Sequence, residues 1–317
     1  MKDKIKYALI FSTCCGLALA LSHCAEPYFK NDYVDNSPTS GKLKVFYDEG
    51  LQLHVKNQVY TFESQYPGAE IELYASNESA AVQALYNDSC KEIIIPRLLG
   101  EKEKKAFESK NLYPKFSAIA KTGVALITNI NTPVDSLSYA QVIDLLSKPF
   151  MCKDSISNST KISVLIDGSN SSVSHYLVDS LLRGTKLSPN CSSLGSSIES
   201  INYVAKNKNV IAFIDFAWLS DADDSISKAN RDKIKYVAIG KNNAYAYPGQ
   251  SSFKLGTYAF TRTVYVIRNA GEFSLAKGFE SFVAGPKGQI LFLKQGLLPE
   301  RQQERSVQVN FEPMKVN

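Results

Sequence analysis

Val164-Leu165-Ile166-Asp167-Gly168-Ser169-Asn170-Ser171-Ser172, continued to Gly184, is the stretch that decides how this chain is read. An apolar run opens it and a polar turn follows. Val173, Tyr176, Leu177, Ser180 and Leu181 then recur at the three-and-four spacing of a helix face. Arg183-Gly184 supplies a helix end. The order is strand, polar turn, helix. Such a turn gathers backbone N–H groups at the positive end of a helix, beside small hydroxyls and an Asn amide that donate hydrogen bonds. That is a seat for an anion. The competing reading is that Ser and Asn gather there only because they cap helices.

The surrounding chain bounds what this seat belongs to. With 317 residues, 44% hydrophobic and 21% charged, it has the composition of a globular protein and length for two lobes. The formal charge of +5 falls to +3 once residues 1–23, with Lys2, Lys4, Lys6 and Asp3, are set aside. No dense Lys/Arg run with interleaved aromatics occurs, so nucleic acid is not an expected partner.

Lys2, Lys4 and Lys6 precede an apolar segment from Tyr7 to Leu21, and Leu21-Ser22-His23-Cys24 ends it. This is the order of a secretory signal over 1–23, too short for a spanning helix. Its ending resembles a bacterial lipobox, with Cys24 as the lipidated first residue and His23 departing from the small residue usual there. Residues 24–41 are polar and read as a tether between lipid and folded domain. Cys152 and Cys191 lie in polar, loop-like surroundings on either side of the central turn. An exported chain lives where disulfides persist, so a Cys152–Cys191 bridge is expected. Cys90, before Ile93-Ile94-Ile95, reads as a buried small hydrophobe. No metal-type spacing occurs, and neither a metal nor a cofactor is expected.

After the tether, three strand–helix units follow in order. Leu43–Tyr47 leads through Glu49-Gly50 to a helix over Leu51–Tyr66. Ile71–Tyr74 leads through Ser76-Asn77 to Ser79–Tyr86, and Glu92–Ile95 through Pro96-Arg97 to Glu101–Ser109. Alternation of this kind predicts a largely parallel sheet with helices on both faces, and ligands then sit beyond the carboxyl ends of the strands. The three turns would share one edge. Further strands are expected at Gly123–Asn129, Asn209–Phe216 and Thr257–Asn269. Helices are expected at Ser136–Leu146, Ile198–Lys206, Ser274–Ala284 and Gly288–Gln295. His54 and His175 lack ligating partners at metal or catalytic spacing, and Trp218 and Tyr265 read as core.

Gly123-Val-Ala-Leu-Ile-Thr-Asn129, Ser136-Leu-Ser-Tyr-Ala-Gln-Val142, Asp167-Gly-Ser-Asn-Ser-Ser172, Asn209-Val-Ile-Ala-Phe213, Thr261-Arg-Thr-Val-Tyr-Val-Ile267 and Gly285-Pro-Lys-Gly-Gln289 with Gly296-Leu-Leu-Pro299 occur in this order. Together they resemble the phosphate-binding substrate-binding lipoproteins of ABC transporters. The resemblance implies a two-lobe α/β fold of the periplasmic-binding-protein type. Each lobe is a mixed, mostly parallel sheet flanked by helices, and two segments cross between lobes. Laid on this chain, lobe 1 is 43–128 with 258–311 and lobe 2 is 129–257. It implies a monomer that captures phosphate or a related oxyanion between the lobes and delivers it to an ABC permease, with no enzymatic step, anchored to a membrane through its N-terminal lipid. Hinge closure around the ligand would be the mechanism.

The family's loop carries an Arg, a Ser and then Asp-Gly-Ser-Gly-Thr. Asp167, Gly168 and Ser169 match, Asn170 stands for Gly, Ser171 keeps a hydroxyl, and Ser172 follows. Leu165 stands where the family has its Arg. Pro96-Arg97 stands where it has an acidic residue that accepts the proton of hydrogen phosphate. Arg97 is the candidate for the missing positive charge, Glu49 for the missing acceptor, and Gly50, Ser76 and Asn77 for further contacts. Each has a plainer reading: an exposed Arg, a carboxylate at a helix start, and turn composition. Two other functions fit less well. One is a two-lobe interaction module that has lost its ligand. The other is a phosphate-ester hydrolase, for which no nucleophile, base or metal pattern stands out.

Overall fold

The computed structural model describes residues 36–148, 162–168, 170–241 and 244–301. β1 (Gly41–Asp48) buries Leu43, Val45 and Tyr47 at alternate positions, as a strand with one covered face must. A short 3-10 turn over Glu49–Leu51 leads into α1 (Gln52–Gln65), which buries Val55, Val59 and Phe62. β2 (Ala69–Ser76) with α2 (Glu78–Tyr86) and β3 (Glu92–Ile95) with α3 (Glu101–Ser109) repeat the pattern. β1 pairs in parallel with both β2 and β3, as the alternation predicted.

β4 (Lys115–Asn129) follows and is longer than the Gly123–Asn129 run. β5 (Ser136–Ser138) leads into α4 (Tyr139–Ser147), where Ser138 caps the Gln141 N–H and Gln141 returns the bond to Ser138. The cap explains why the helix starts at Tyr139 and not at Ser136. β6 (Ser163–Ile166) leads to α5 (Ser172–His175), continued as a wider π turn over Tyr176–Leu181. β7 (Cys191–Ser193), α6 (Ser197–Lys206), β8 (Val210–Asp215), α7 (Ala217–Ser220) and α8 (Ser225–Asn230) come next. The chain then forms β9 (Ile234–Tyr236), β10 (Ala238–Lys241), β11 (Ala244–Ala246) and α9 (Gln250–Lys254). It ends with β12 (Thr261–Arg268), α10 (Leu275–Val283), α11 (Pro286–Lys294) and β13 (Leu298–Pro299).

Among the described residues one sheet runs in the order β2-β1-β3-β12-β4-β8-β6-β7, with β13 and β9 also on β4. The outer βαβ portions are parallel, and the pairings of β12 and β4 are antiparallel. β4 is common to both halves. It pairs with β12 from Lys115 to Gly123 and with β8 from Val124 to Thr128. From Gly123 onward it is buried throughout, because strands and helices cover both of its faces. In one half Phe62 meets the rings of Phe279 and Phe282 edge-on at 5.3 Å. In the other, Val164, Ile201, Ile211 and Phe213 are fully covered. Trp218 is core, as expected, and Tyr265 is half-buried.

Residues 36–40, expected to belong to the tether, are docked on α10. Asn36 Oδ1 accepts the Leu275 N–H at 3.2 Å, and a Cβ on Gly278 would lie 1.7 Å from the Pro38 carbonyl oxygen. Cys191 carries a free thiol among the described residues, and the expected bridge to Cys152 falls on a residue outside them. At the start of β7 its Sγ points to the Leu146 carbonyl, 4.0 Å away, and burial pushes the thiol up to about 11. Cys152, Cys24 and the signal lie outside the described residues, as does Ser169. Cys90 is buried and free.

His54 joins α1 to the end of α11 and to α7. Its Nε2 lies 3.3 Å from the Gln295 carbonyl and 3.2 Å from Ser220 Oγ. Gly296, next along, sits at φ +84°, and a Cβ there would lie 2.1 Å from the Ser220 carbonyl oxygen, so only glycine fits. Burial lowers the His54 pKa from 6.5 to about 4. Below pH 6.5 the unfolded chain therefore binds more protons than the folded one. The contribution of His54 is complete above that pH and is lost as pH falls toward 4, by up to about 3 kcal/mol. Urea unfolding of wild type and His54→Gln from pH 7.5 to 4.5 should show this as a gap in pH slope, with the wild type falling more steeply.

Candidate functional site

Turns at the carboxyl ends of β1, β2 and β6 converge, although four strands separate β1 from β6 in the sheet. Glu49, Gly50, Ser76, Asn77, Asp167, Gly168, Asn170, Ser171 and Ser172 all line one cavity of about 280 Å³, with Ser193, Gly195 and Ser197 completing it. The Ser171 hydroxyl accepts the Ser174 N–H at 3.0 Å and so caps α5, while donating to the Gly168 carbonyl at 3.0 Å. Ser171 thus caps the helix and also lines the cavity. Asn77 likewise caps α2, accepting the Ala80 N–H at 2.9 Å.

Arg97 is placed elsewhere. Its Nε donates to Glu78 at 2.9 Å and its terminal nitrogens donate to Glu103 at 2.7 and 3.0 Å. It lines a neighbouring cavity of about 540 Å³, where its charge is matched by carboxylates. Glu49 is exposed at the rim, and the carboxylate that points inward is its neighbour Asp48, 3% exposed.

The principal cation is one the sequence reading passed over. Arg262, on β12, is 5% exposed. It ion-pairs with Asp215 at the end of β8 and donates to Ser172 Oγ at 3.1 Å. Ser172 in turn donates to Asp48 Oδ1 at 3.0 Å, and Thr122 donates to Asp215 Oδ1 at 2.6 Å. Strand alternation held the signal: Arg262 shares the covered face of β12 with Val264 and Val266, and a charge in an apolar row must find a partner. Gly50 allows the first turn to approach, since a Cβ there would lie 3.0 Å from both Asp215 Cβ and Asp48 Oδ1.

Burial alone would lower the Arg262 pKa, but Asp215, Asp48 and Glu78 together raise it. Burial pushes the Asp48 carboxyl well above the carboxylate range, with Arg262 opposing. Burial likewise raises Asp167 to about 6, although Ser197 donates to its Oδ2 at 3.0 Å. Asp167 Oδ1 and Arg262 Nε have no hydrogen-bond partner among the described residues. The cleft therefore offers an acceptor, a cation and a helix start. Among the described residues no group of three or more His, Cys, Asp or Glu is placed to hold a metal ion.

Comparison with known proteins gives the same architecture. The family model described as the PBP superfamily domain matches residues 38–287. The phosphate-binding protein PstS of Pseudomonas aeruginosa is 22% identical over 318 residues, covering 94% of this chain and 95% of that one. A Clostridium perfringens protein solved with bound phosphate superimposes with a TM-score of 0.68 at 20% identity, covering 82% of this chain and 100% of the other. An ABC-type phosphate transport receptor from Vibrio cholerae gives 0.64 at 16% identity, covering 82% and 100%.

Replacing Arg262 by Met leaves Asp215 buried without its cation. The expected loss is about 3–5 kcal/mol in urea unfolding, and the double variant Arg262→Met/Asp215→Leu should recover much of it.

Proposed function

The chain belongs to the PBP superfamily, and we propose that it captures phosphate or a related oxyanion in the cleft and presents it to an ABC permease. The observation that carries this is the convergence of Asp167, Gly168, Asn170, Ser171 and Ser172, at the start of α5, with the turns after β1 and β2 on one cavity. Names of relatives that bind phosphate support it. In this reading lobe 1 is 43–128 with 258–311, lobe 2 is 129–257, and the protein works as an exported monomer lipidated at Cys24. No covalent step is involved.

The chemistry lost with the family's Arg and acidic acceptor is supplied from other positions. Arg262 lines the neighbouring cavity and reaches the loop only through Ser172, whose hydroxyl it polarises in place of the cation missing at Leu165. Asp167, with Oδ1 unpartnered among the described residues, takes the place of the acceptor missing at Pro96. Several hydrogen bonds to charge, about 1.5–3 kcal/mol each before desolvation, suffice for the roughly 8 kcal/mol of micromolar binding.

An ionised Asp167 accepts from the hydroxyl of hydrogen phosphate but faces sulfate with no hydrogen between them. Because its pKa is raised to about 6, this discrimination is present above pH 6 and fades below it. Isothermal titration should show phosphate binding well above sulfate at pH 7.5, with sulfate gaining at least about tenfold by pH 5. In Asp167→Asn the roughly tenfold gain of sulfate between pH 7.5 and 5 should be lost. Absence of saturable binding of either anion at both pH values would overturn the proposal.

A further inference from the structure

The cleft has two compartments. Beside the cavity that carries the 167–172 loop lies the larger one of about 540 Å³, and Ser172 lines both. An inorganic tetrahedral anion is compact, whereas cavities of roughly 300–1,000 Å³ hold organic molecules of many atoms. The walls of the larger compartment are those of an organic ligand's site. Tyr176 presents a half-buried ring with the Arg262 guanidinium 5.8 Å from its centroid, and Pro96 and Leu98 add apolar surface. Arg262 lines this compartment, and its buried Nε–H has no acceptor among the described residues. Glu78 and Asp179 supply carboxylate acceptors to the same space.

An aromatic face, carboxylate acceptors and a planar donor together match a hydroxylated carbon skeleton. Its C–H face packs on the ring, its hydroxyls donate to the carboxylates, and one hydroxyl oxygen accepts from the guanidinium. Inorganic phosphate on the loop would leave the Tyr176 face and Arg262 Nε unused. We infer that the ligand of this protein is a phosphorylated polyol or sugar, its phosphate at Gly168, Asn170, Ser171 and Ser172 with one proton shared between it and Asp167, and its carbon skeleton over Tyr176. This rests on the reading of the cleft as an oxyanion receptor and narrows the ligand class.

The test is isothermal titration of the protein at pH 6, where one proton is available between Asp167 and a phosphate ester, with inorganic phosphate, glycerol 3-phosphate and glucose 6-phosphate. Ser180→Trp and Ser79→Trp, exposed positions lining the larger compartment, provide two independent ways to fill it. At least one ester should bind at least about tenfold more tightly than phosphate to the wild type. Either tryptophan should remove that excess and leave phosphate affinity within about twofold. Phosphate binding as tightly as both esters, or an ester advantage that survives both substitutions, overturns the inference while the receptor reading stands. If none of the three binds, the inference fails, and if sulfate does not bind either, the receptor reading fails with it.

Discussion

A guanidinium buried beside a carboxylate is the constraint on which the rest of this cleft depends. Arg262 and Asp215 are each shielded from water, and neither charge is tolerable there without the other. Sheet register brings them together. Arg262 lies opposite Thr122 on β4, and Asp215 lies opposite Val124 on the same strand. The ion pair therefore spans the point where β4 changes partner from β12 to β8, and Thr122 fixes its geometry by donating to Asp215.

The same network links the two halves through a hydroxyl. Ser172, at the start of α5, accepts from Arg262 and donates to Asp48 at the end of β1. Any rotation of one half against the other must lengthen one of these bonds. A ligand that touches the loop before α5 and the turn after β1 acts on the groups whose spacing such a rotation changes. Binding energy can then be converted into a preference for one arrangement. The His54–Gln295–Ser220 junction ties α1, α11 and α7 at a second place, with Gly296 allowing the backbones to approach.

Much of this was legible in the sequence because period and punctuation agree. The first three strand–helix units stand close to where alternation and turn residues put them, and the three turns share one end of the sheet. β4 was half seen, because Lys115–Thr122 mixes Lys, Ser and Thr with apolar residues, while Gly123–Asn129 is a continuous buried run. The candidate loop was found because a polar cluster between a strand and a helix is a local signal. Arg262, Asp48 and Asp215 were missed because their role is non-local: each ends or interrupts an apolar strand, and only tertiary register says which face meets which. Arg97 misled for the same reason, since Glu78 and Glu103 meet it only once the turn is folded.

The charge balance of the cleft then explains how an anion is tolerated beside so many carboxylates. Asp215 is cancelled by Arg262, and Glu78 and Glu103 share Arg97. Burial drives Asp48 toward its neutral form and holds Asp167 near the pH range in which phosphate itself changes protonation. The field at the loop is accordingly set by dipoles and protons more than by net charge. In the proposed reading, affinity comes from N–H and O–H groups aimed at the anion, and discrimination comes from a carboxylate that requires a hydrogen from its ligand. A site of this kind rejects an anion for lacking a proton as readily as a cationic pocket would accept it for its charge.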